Sequence, residues 1–374
     1  MIIQRTIQKS LEEALFKGRI VVLYGARQVG KTTLAKQILE KYRNDSLYLT
    51  CDEPDIRNAL TDTTSTRLRS FFGRYRLVVI DEAQRVKNIG LTLKLIADNL
   101  PDIQVIATGS SSFELSGKIS EALTGRKHEL FLYPFSVAEL QQAYSSLEFN
   151  RLLDERLIFG MYPRVVFAGP DREQLVRELA TSYSYKDVLT YQDIRNPELL
   201  EKLLQALALQ IGSEVSYTEL AQLLGVNKLT IESYIRILEQ AYIICRVGPF
   251  SRNIRNELKK KRKIYFLDLG LRNALINNLN PLALRQDVGS VWENFLVIER
   301  MKRNNNLGIW TNNYFWRTTS GKEIDYVEDA GGILSGFEFK WKKDSFSAPK
   351  EFITAYPQSS VKLINRSNYL DFVI

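Results

Sequence analysis

The first third of the chain alternates short apolar runs with amphipathic stretches. Ile20-Val21-Val22-Leu23-Tyr24 is rich in β-branched residues, the pattern of a strand buried on both faces. Thr33 to Tyr42 carries Leu34, Ile38 and Leu39 on one helical face. Leu77-Val78-Val79-Ile80 and Gln104-Val105-Ile106-Ala107-Thr108 repeat the buried-strand pattern. A helix over Phe113 to Thr124 and a strand over Glu129 to Leu132 follow. Strands alternating with helices in this way predict an α/β fold with a parallel sheet.

Helical periodicity takes over further along. After a mixed stretch from Phe135 to about Asn196, Leu199, Leu200, Leu203, Leu204 and Leu207 line one helix. Ser216-Tyr217-Thr218-Glu219 is a capping box that opens a second helix through Leu220, Leu223 and Leu224. Gly225-Val226-Asn227 makes a turn, and Ile231, Tyr234, Ile235 and Leu238 mark a third helix before a strand at Tyr242–Val247. This is the order of a helix-turn-helix of winged type. The remainder predicts a helix over Ser290–Arg300, with strands at Phe315-Trp316-Arg317, Ile324–Val327 and Phe337–Trp341.

With 374 residues, 45% of them hydrophobic and 25% charged, the composition is that of a globular protein of several domains. No apolar run approaches the ~20 residues that span a bilayer. The N-terminus lacks a signal-peptide pattern. The expectation is a cytoplasmic chain with no membrane association. Cys51, Cys245 and His128 are the whole complement of cysteine and histidine, which excludes a Cys/His zinc site and a disulfide framework. The net charge of +8 favours an anionic partner, and a basic run from Arg252 to Lys263 contains only one acid, Glu257. Such runs are usually solvated surface.

The first candidate site follows the first strand. Gly25-Ala26-Arg27-Gln28-Val29-Gly30-Lys31-Thr32, with Thr33 after it, matches the P-loop pattern G-x-x-x-x-G-K-[ST] in its strand–loop–helix setting. Glycines let backbone N–H groups curl around phosphates, and the helix N-terminus adds partial positive charge. Lys31 is expected on the β- and γ-phosphates of ATP and Thr32 on Mg²⁺. Asp81, ending the Leu77–Ile80 strand, is the second expected Mg²⁺ ligand, and Glu82 the base that activates water. Ser110, after the Gln104–Thr108 strand, is a candidate for positioning that water, or equally a helix cap. Arg126, after Gly125, is a candidate to stabilise γ-phosphate charge in a neighbouring copy of a homo-oligomer, or a surface residue.

Gly25–Thr33 with its Arg27-Gln28 pair, Val79–Gln84, Thr108–Ser112, Thr124-Gly125-Arg126 and Tyr133-Pro134-Phe135-Ser136 together resemble AAA+ ATPases. In detail they resemble the bacterial and archaeal proteins with an AAA-type N-terminal half and a C-terminal domain of unassigned function, the AAA_14/DUF4143 architecture. The resemblance runs nearly end to end. It implies a core sheet in the order 5-1-4-3-2 with nucleotide at the strand carboxyl ends. The expected organisation is a P-loop core at 1–134, a helical lid and connector at 135–196, a winged helix at 197–262 and a nuclease-like C-terminal α/β domain at 263–374. One departure is Met161 in Gly160-Met161-Tyr162-Pro163-Arg164, where relatives often carry a second glycine. It puts in doubt a nucleotide contact from Pro163 or Arg164.

In the last domain, Asp325 and Glu338-Phe339-Lys340 resemble the D…E-x-K set of restriction-endonuclease-like PD-(D/E)XK nucleases, with Glu293 as that fold's helix glutamate. Period-two alternation puts Glu338 and Lys340 on one face, and a hairpin brings Asp325 alongside. The resemblance implies Asp325, Glu338 and Glu293 as Mg²⁺ ligands and Lys340 as the catalytic cation. Ser290-Val291-Trp292-Glu293 also reads as a capping box, which would account for Glu293 without chemistry. Two functions follow: a DNA-directed ATPase with metal-dependent nuclease capacity, or a nucleotide switch whose C-terminal half binds a protein partner.

Overall fold

The computed structural model describes residues 3–109, 123–183, 196–251 and 262–374. They form two compact units, one running to Tyr133 and taking in Gln240–Tyr242, the other made of Pro134–Glu239 and Ile243–Ile374.

The first unit is built on a five-stranded sheet. Its strands are β1 (Ile20–Tyr24), β2 (Ser46–Thr50), β3 (Leu77–Asp81), β4 (Gln104–Gly109) and β5 (Lys127–Phe131), in the order β2-β3-β4-β1-β5. Every pairing is parallel, and the order is the expected one. The three inner strands are buried at every position, as their unbroken apolar runs require, whereas the edge strands β2 and β5 are partly exposed. Val22, Ile80 and Val105 of the sheet share one buried cluster with Phe72, Ile89, Leu93 and Ile96. Parallel register brings the carboxyl ends of β1, β3 and β4 to one edge.

The second unit is built on a seven-stranded mixed sheet, order β12-β11-β10-β9-β7-β8-β6. The strands are β6 (Glu214–Val215), β7 (Ile244–Pro249), β8 (Arg262–Phe266), β9 (Asn312–Arg317), β10 (Glu323–Ala330), β11 (Ile333–Phe339) and β12 (Ser360–Ile364). Helices Pro197–Leu209, Tyr217–Leu224 and Lys228–Gln240 precede β7; the first and third bury the stripes named above, while the second buries Leu220 and leaves Leu223 exposed. Ser216 accepts from Glu219 N–H at 3.3 Å as the cap of the second helix, and Gly225, at φ 68°, ends it. The β7–β8 pair is antiparallel, and β7 also pairs in parallel with β9 through Gly248–Tyr314 and Pro249–Phe315. The strands after the three helices are therefore continuous with the C-terminal sheet, and the expected 262/263 boundary falls inside β8.

Gly160-Met161 packs against the cap of the Leu269–Leu275 helix. A side chain at Gly160 would stand 2.1 Å from Asp268 Oδ1, and Met161 N–H donates to Asp268 Oδ2 at 2.7 Å. Glycine is obligatory at 160 and not at 161, where the backbone amide does the work. Among the described residues no helix is long and apolar enough to cross a membrane.

Candidate functional site

The P-loop leaves β1 through Gly25, where a Cβ would lie 2.2 Å from the Leu132 carbonyl oxygen. Gly30, at φ 101°, turns the chain into the Lys31–Lys41 helix. Arg5 holds the loop from outside it. Its guanidinium donates to the carbonyls of Val29 and Tyr133, both at 2.6 Å, and it is 6% exposed. Lys31 is buried and donates to the carbonyls of Gly25 and Ala26 at 2.8 and 2.9 Å. Its ammonium thus lies against the first two carbonyls of the loop, just beyond the carboxyl end of β1.

Asp81 ends β3, 4% exposed, facing three hydroxyls. Thr32 Oγ1 and Tyr48 OH donate to its Oδ2 at 2.8 and 2.6 Å, and Thr108 Oγ1 donates to its Oδ1. Burial, then the hydrogen bond to Asp81, pushes the Tyr48 phenol above its ordinary range, so it remains a donor. Glu82 follows in the left-handed region at φ 54°. Its N–H donates to Thr108 Oγ1 at 3.2 Å, and its Oε2 accepts from Gln84 Nε2. A buried acid beside an oriented acid, on a turn next to a P-loop, is an arrangement able to hold a cation and steer a water. Tyr48, Thr108 and Arg5 were not among the expected site residues. Ser110 lies outside the described residues.

Arg126 stands at the other end of the sheet. Lys127 pairs with Ile20 at the start of β1, so Arg126 precedes β5 at the amino edge, about 16 Å of strand from the loop after Tyr24. Its Nε donates to Asp98 at 2.5 Å, and its side chain is 42% exposed.

In the second unit the structure brings Asp325, Glu338, Lys340 and Glu293 together and adds Lys263, Tyr265 and Glu323 to them. Lys340 Nζ lies 2.6 Å from Glu338 Oε1, on the shared face that alternation implies. The ladder between β9 and β10 slips between Ile324 and Val327, and this bulge carries Asp325, whose Oδ2 accepts from Phe339 N–H at 2.8 Å. The Ser290 capping box does not form. The helix is Val288–Leu307 with Asp287 at its cap, so Glu293 sits well inside it and its carboxylate is free for the cluster. Glu293 Oε1 accepts from Tyr265 OH at 2.7 Å and from Lys263 Nζ at 2.9 Å.

Lys263 corrects the reading of the basic run. It is 2% exposed, with its ammonium 2.6 Å from Glu323 and 3.9 Å from Asp325 in addition to Glu293. Lys259, Lys260 and Lys261 lie outside the described residues. Burial alone would push Lys263 down, but Glu293, Asp325 and Glu323 outweigh it and hold the ammonium charged. Burial pushes Glu293 up to about 7 against the pull of Lys263. Burial raises Asp325 and Glu338 as well, each opposed by a lysine, and Glu338 Oε2 has no hydrogen-bond partner among the described residues. Among the described residues no three histidine, cysteine, aspartate or glutamate side chains converge as a metal-binding group. The expected ligand set Asp325, Glu338 and Glu293 does not fit a divalent ion here, because the Lys263 ammonium stands against Glu293 and Asp325 and the Lys340 ammonium against Glu338.

Comparison with known proteins follows the same division. The AAA domain family matches residues 17–141, a domain of unknown function, DUF8612, matches 150–282, and the domain of unknown function DUF4143 matches 288–369. An uncharacterised protein of Mycobacterium tuberculosis is 28% identical over 347 residues, covering 91% of this chain and 74% of that protein. An uncharacterised protein of Methanocaldococcus jannaschii is 24% identical over 344 residues, covering 86% of this chain and 75% of its own. Among solved structures, the Thermotoga maritima RuvB Holliday junction branch migration motor is 20% identical with a TM-score of 0.34, covering 69% of this chain and 95% of that one. With a P-loop on a 5-1-4-3-2 parallel sheet, the chain carries an AAA domain matched over that sheet and a DUF4143 domain matched over the C-terminal helix and strands, in the order of the AAA_14/DUF4143 architecture.

Proposed function

We propose that this chain binds ATP with Mg²⁺ at the Gly25–Thr33 loop and hydrolyses it. The observation that carries the reading is the 2.8 Å contact of Thr32 Oγ1 with Asp81 Oδ2, which sets a hydroxyl and a carboxylate side by side at the end of the loop that carries Lys31. Hard oxygen donors of this kind suit Mg²⁺, which when bound neutralises phosphate charge. Lys31 moves from two neutral carbonyls to the β- and γ-phosphates, which are stronger, charged acceptors. Glu82 takes the proton of the attacking water, with Gln84 orienting its carboxylate. Arg126 is too far along the sheet to serve its own loop, so its place is the site of the next copy in a homo-oligomer. Turnover of ATP by the purified protein, lost in Glu82→Gln, tests the reading.

The partner in this proposal is DNA. The net charge of +8 and the arrangement of three helices followed by the β7–β8 pair support it. A protein partner is the second reading, favoured by Leu223 and Leu229, 68% and 74% exposed on either side of the turn between the second and third helices. ATP turnover measured with and without duplex DNA, at two salt concentrations, separates them. Stimulation that fades with salt supports DNA, whereas no stimulation and no binding at low salt gives the site to a protein.

A further inference from the structure

The cluster between β8, β10, β11 and the Val288–Leu307 helix holds more carboxylates than a folded interior tolerates without cations. Glu293, Glu323, Asp325 and Glu338 converge there, with Lys263 and Lys340 as the only described ammonium groups bonded to them. The two lysines are placed differently. Lys340 is 37% exposed and bonds Glu338 from the rim, while Lys263 is buried and meets three carboxylates, one from the Val288–Leu307 helix and two from β10. It reaches its position from β8, where Ile264 and Phe266 face the opposite way from Lys263 and Tyr265, and the Tyr265 hydroxyl meets the same Glu293 oxygen. The Phe315 ring covers the ammonium with its centroid 5.5 Å away.

We propose that Lys263 is the resident cation of this cluster, standing where a restriction-endonuclease-like fold would hold its metal ion, so that the C-terminal sheet assembles and binds its partner without divalent metal. The proposal deepens the reading of the C-terminal half as a binding module. A divalent ion beside the ammonium would meet like charge at close range in a largely buried site, and Asp325 has already given one oxygen to the Phe339 amide. The fixed ammonium also spans the expected domain boundary. It lies on a strand of the winged-helix region and neutralises side chains of the C-terminal helix and hairpin.

The test is Mn²⁺ binding to nucleotide-free protein, read by electron paramagnetic resonance on the whole chain, in wild type, Asp325→Asn, Glu338→Gln, Lys263→Met and Lys263→Met/Asp325→Asn. The expected result is the same Mn²⁺ stoichiometry in wild type and both single carboxylate variants. Lys263→Met should gain one ion, and the double variant should lose it again. Wild-type protein that binds an ion lost in Asp325→Asn or Glu338→Gln overturns the proposal. So does a folded Lys263→Met that gains none. If Lys263→Met does not fold, the wild-type and carboxylate comparison decides alone. None of these measurements reads ATP turnover or DNA binding, so failure here leaves the proposed function standing.

Discussion

The Arg5 guanidinium donates to the Val29 carbonyl at 2.6 Å, tying a residue near the chain start to the middle of the P-loop. Its second arm bonds the Tyr133 carbonyl just after β5, so one buried cation fixes the loop against the sheet. Hydrogen bonds from a charged donor are worth about 1.5–3 kcal/mol each. Arg5→Ala should therefore raise the nucleotide Kd roughly tenfold, equivalent to about 1.4 kcal/mol, and lower the melting temperature. Titration with a fluorescent ATP analogue measures the first effect, and an unchanged Kd would show that the loop is held without Arg5.

Lys31 and Glu82 should separate binding from chemistry. Lys31→Ala should abolish tight nucleotide binding, since Lys31 is the buried cation over the loop. Glu82→Gln should bind ATP normally while kcat falls about 10²–10⁴-fold, the span expected for loss of a general base. Normal turnover in Glu82→Gln would refute its role.

Tyr48 acts on Asp81 through a single hydroxyl at 2.6 Å. Tyr48→Phe should leave ATP binding in place and raise the Mg²⁺ concentration for half-maximal turnover several-fold. An unchanged Mg²⁺ dependence would make the tyrosine a packing residue.

Arg126 must leave Asp98 to reach another subunit. Arg126→Ala should lose turnover and recover part of it when mixed with Glu82→Gln, because mixed assemblies pair an intact site with an intact arginine. A strict monomer hydrolysing ATP at full rate would rule this out.

Glu293 gives a pH dependence whose sign is fixed by its environment. Burial raises its folded-state pKa to about 7 from an ordinary 4.5. Between these values the folded protein binds more protons than the unfolded chain, so this contribution is greatest below about pH 4.5 and is lost as pH rises through 7. Relative to Glu293→Gln, wild type should lose on the order of 3 kcal/mol across that window. Urea denaturation of both proteins at several pH values measures it, and parallel pH curves would show the carboxyl to be unperturbed.

The site elements readable in the sequence are those whose information is local. The P-loop is eight consecutive residues, and its strand and helix flank it directly. Glu338 and Lys340 share a face by alternation alone, and a turn rich in glycine carries the chain back from Asp325. The partners of Asp81 were hidden because Tyr48 and Thr108 come from strands on either side of β3, and only the sheet order makes them neighbours. Arg5 is hidden for the same reason. Lys263 was misread because its chain neighbours are lysines and arginines, whereas its side chain obeys the inward phase of β8. Glu293 was given a capping alternative because the helix start was placed one turn late; Asp287 and Val288 begin it.

The parallel seam of β7 with β9 sets where this chain can be divided. It is short, Gly248–Tyr314 and Pro249–Phe315, with the Phe250 amide adding a bond to the Phe315 carbonyl at 2.6 Å. A fragment ending near residue 262 would strip β7 of that partner, and one starting at 263 would leave β9 with an open flank lined by Phe315 and Trp316. Both pieces would carry raw sheet edges ready to pair with other chains. Soluble fragments are to be sought by cutting near Pro134, where the second compact unit begins, so that the seven-stranded sheet travels with the Gly160-Met161 segment that packs on Asp268.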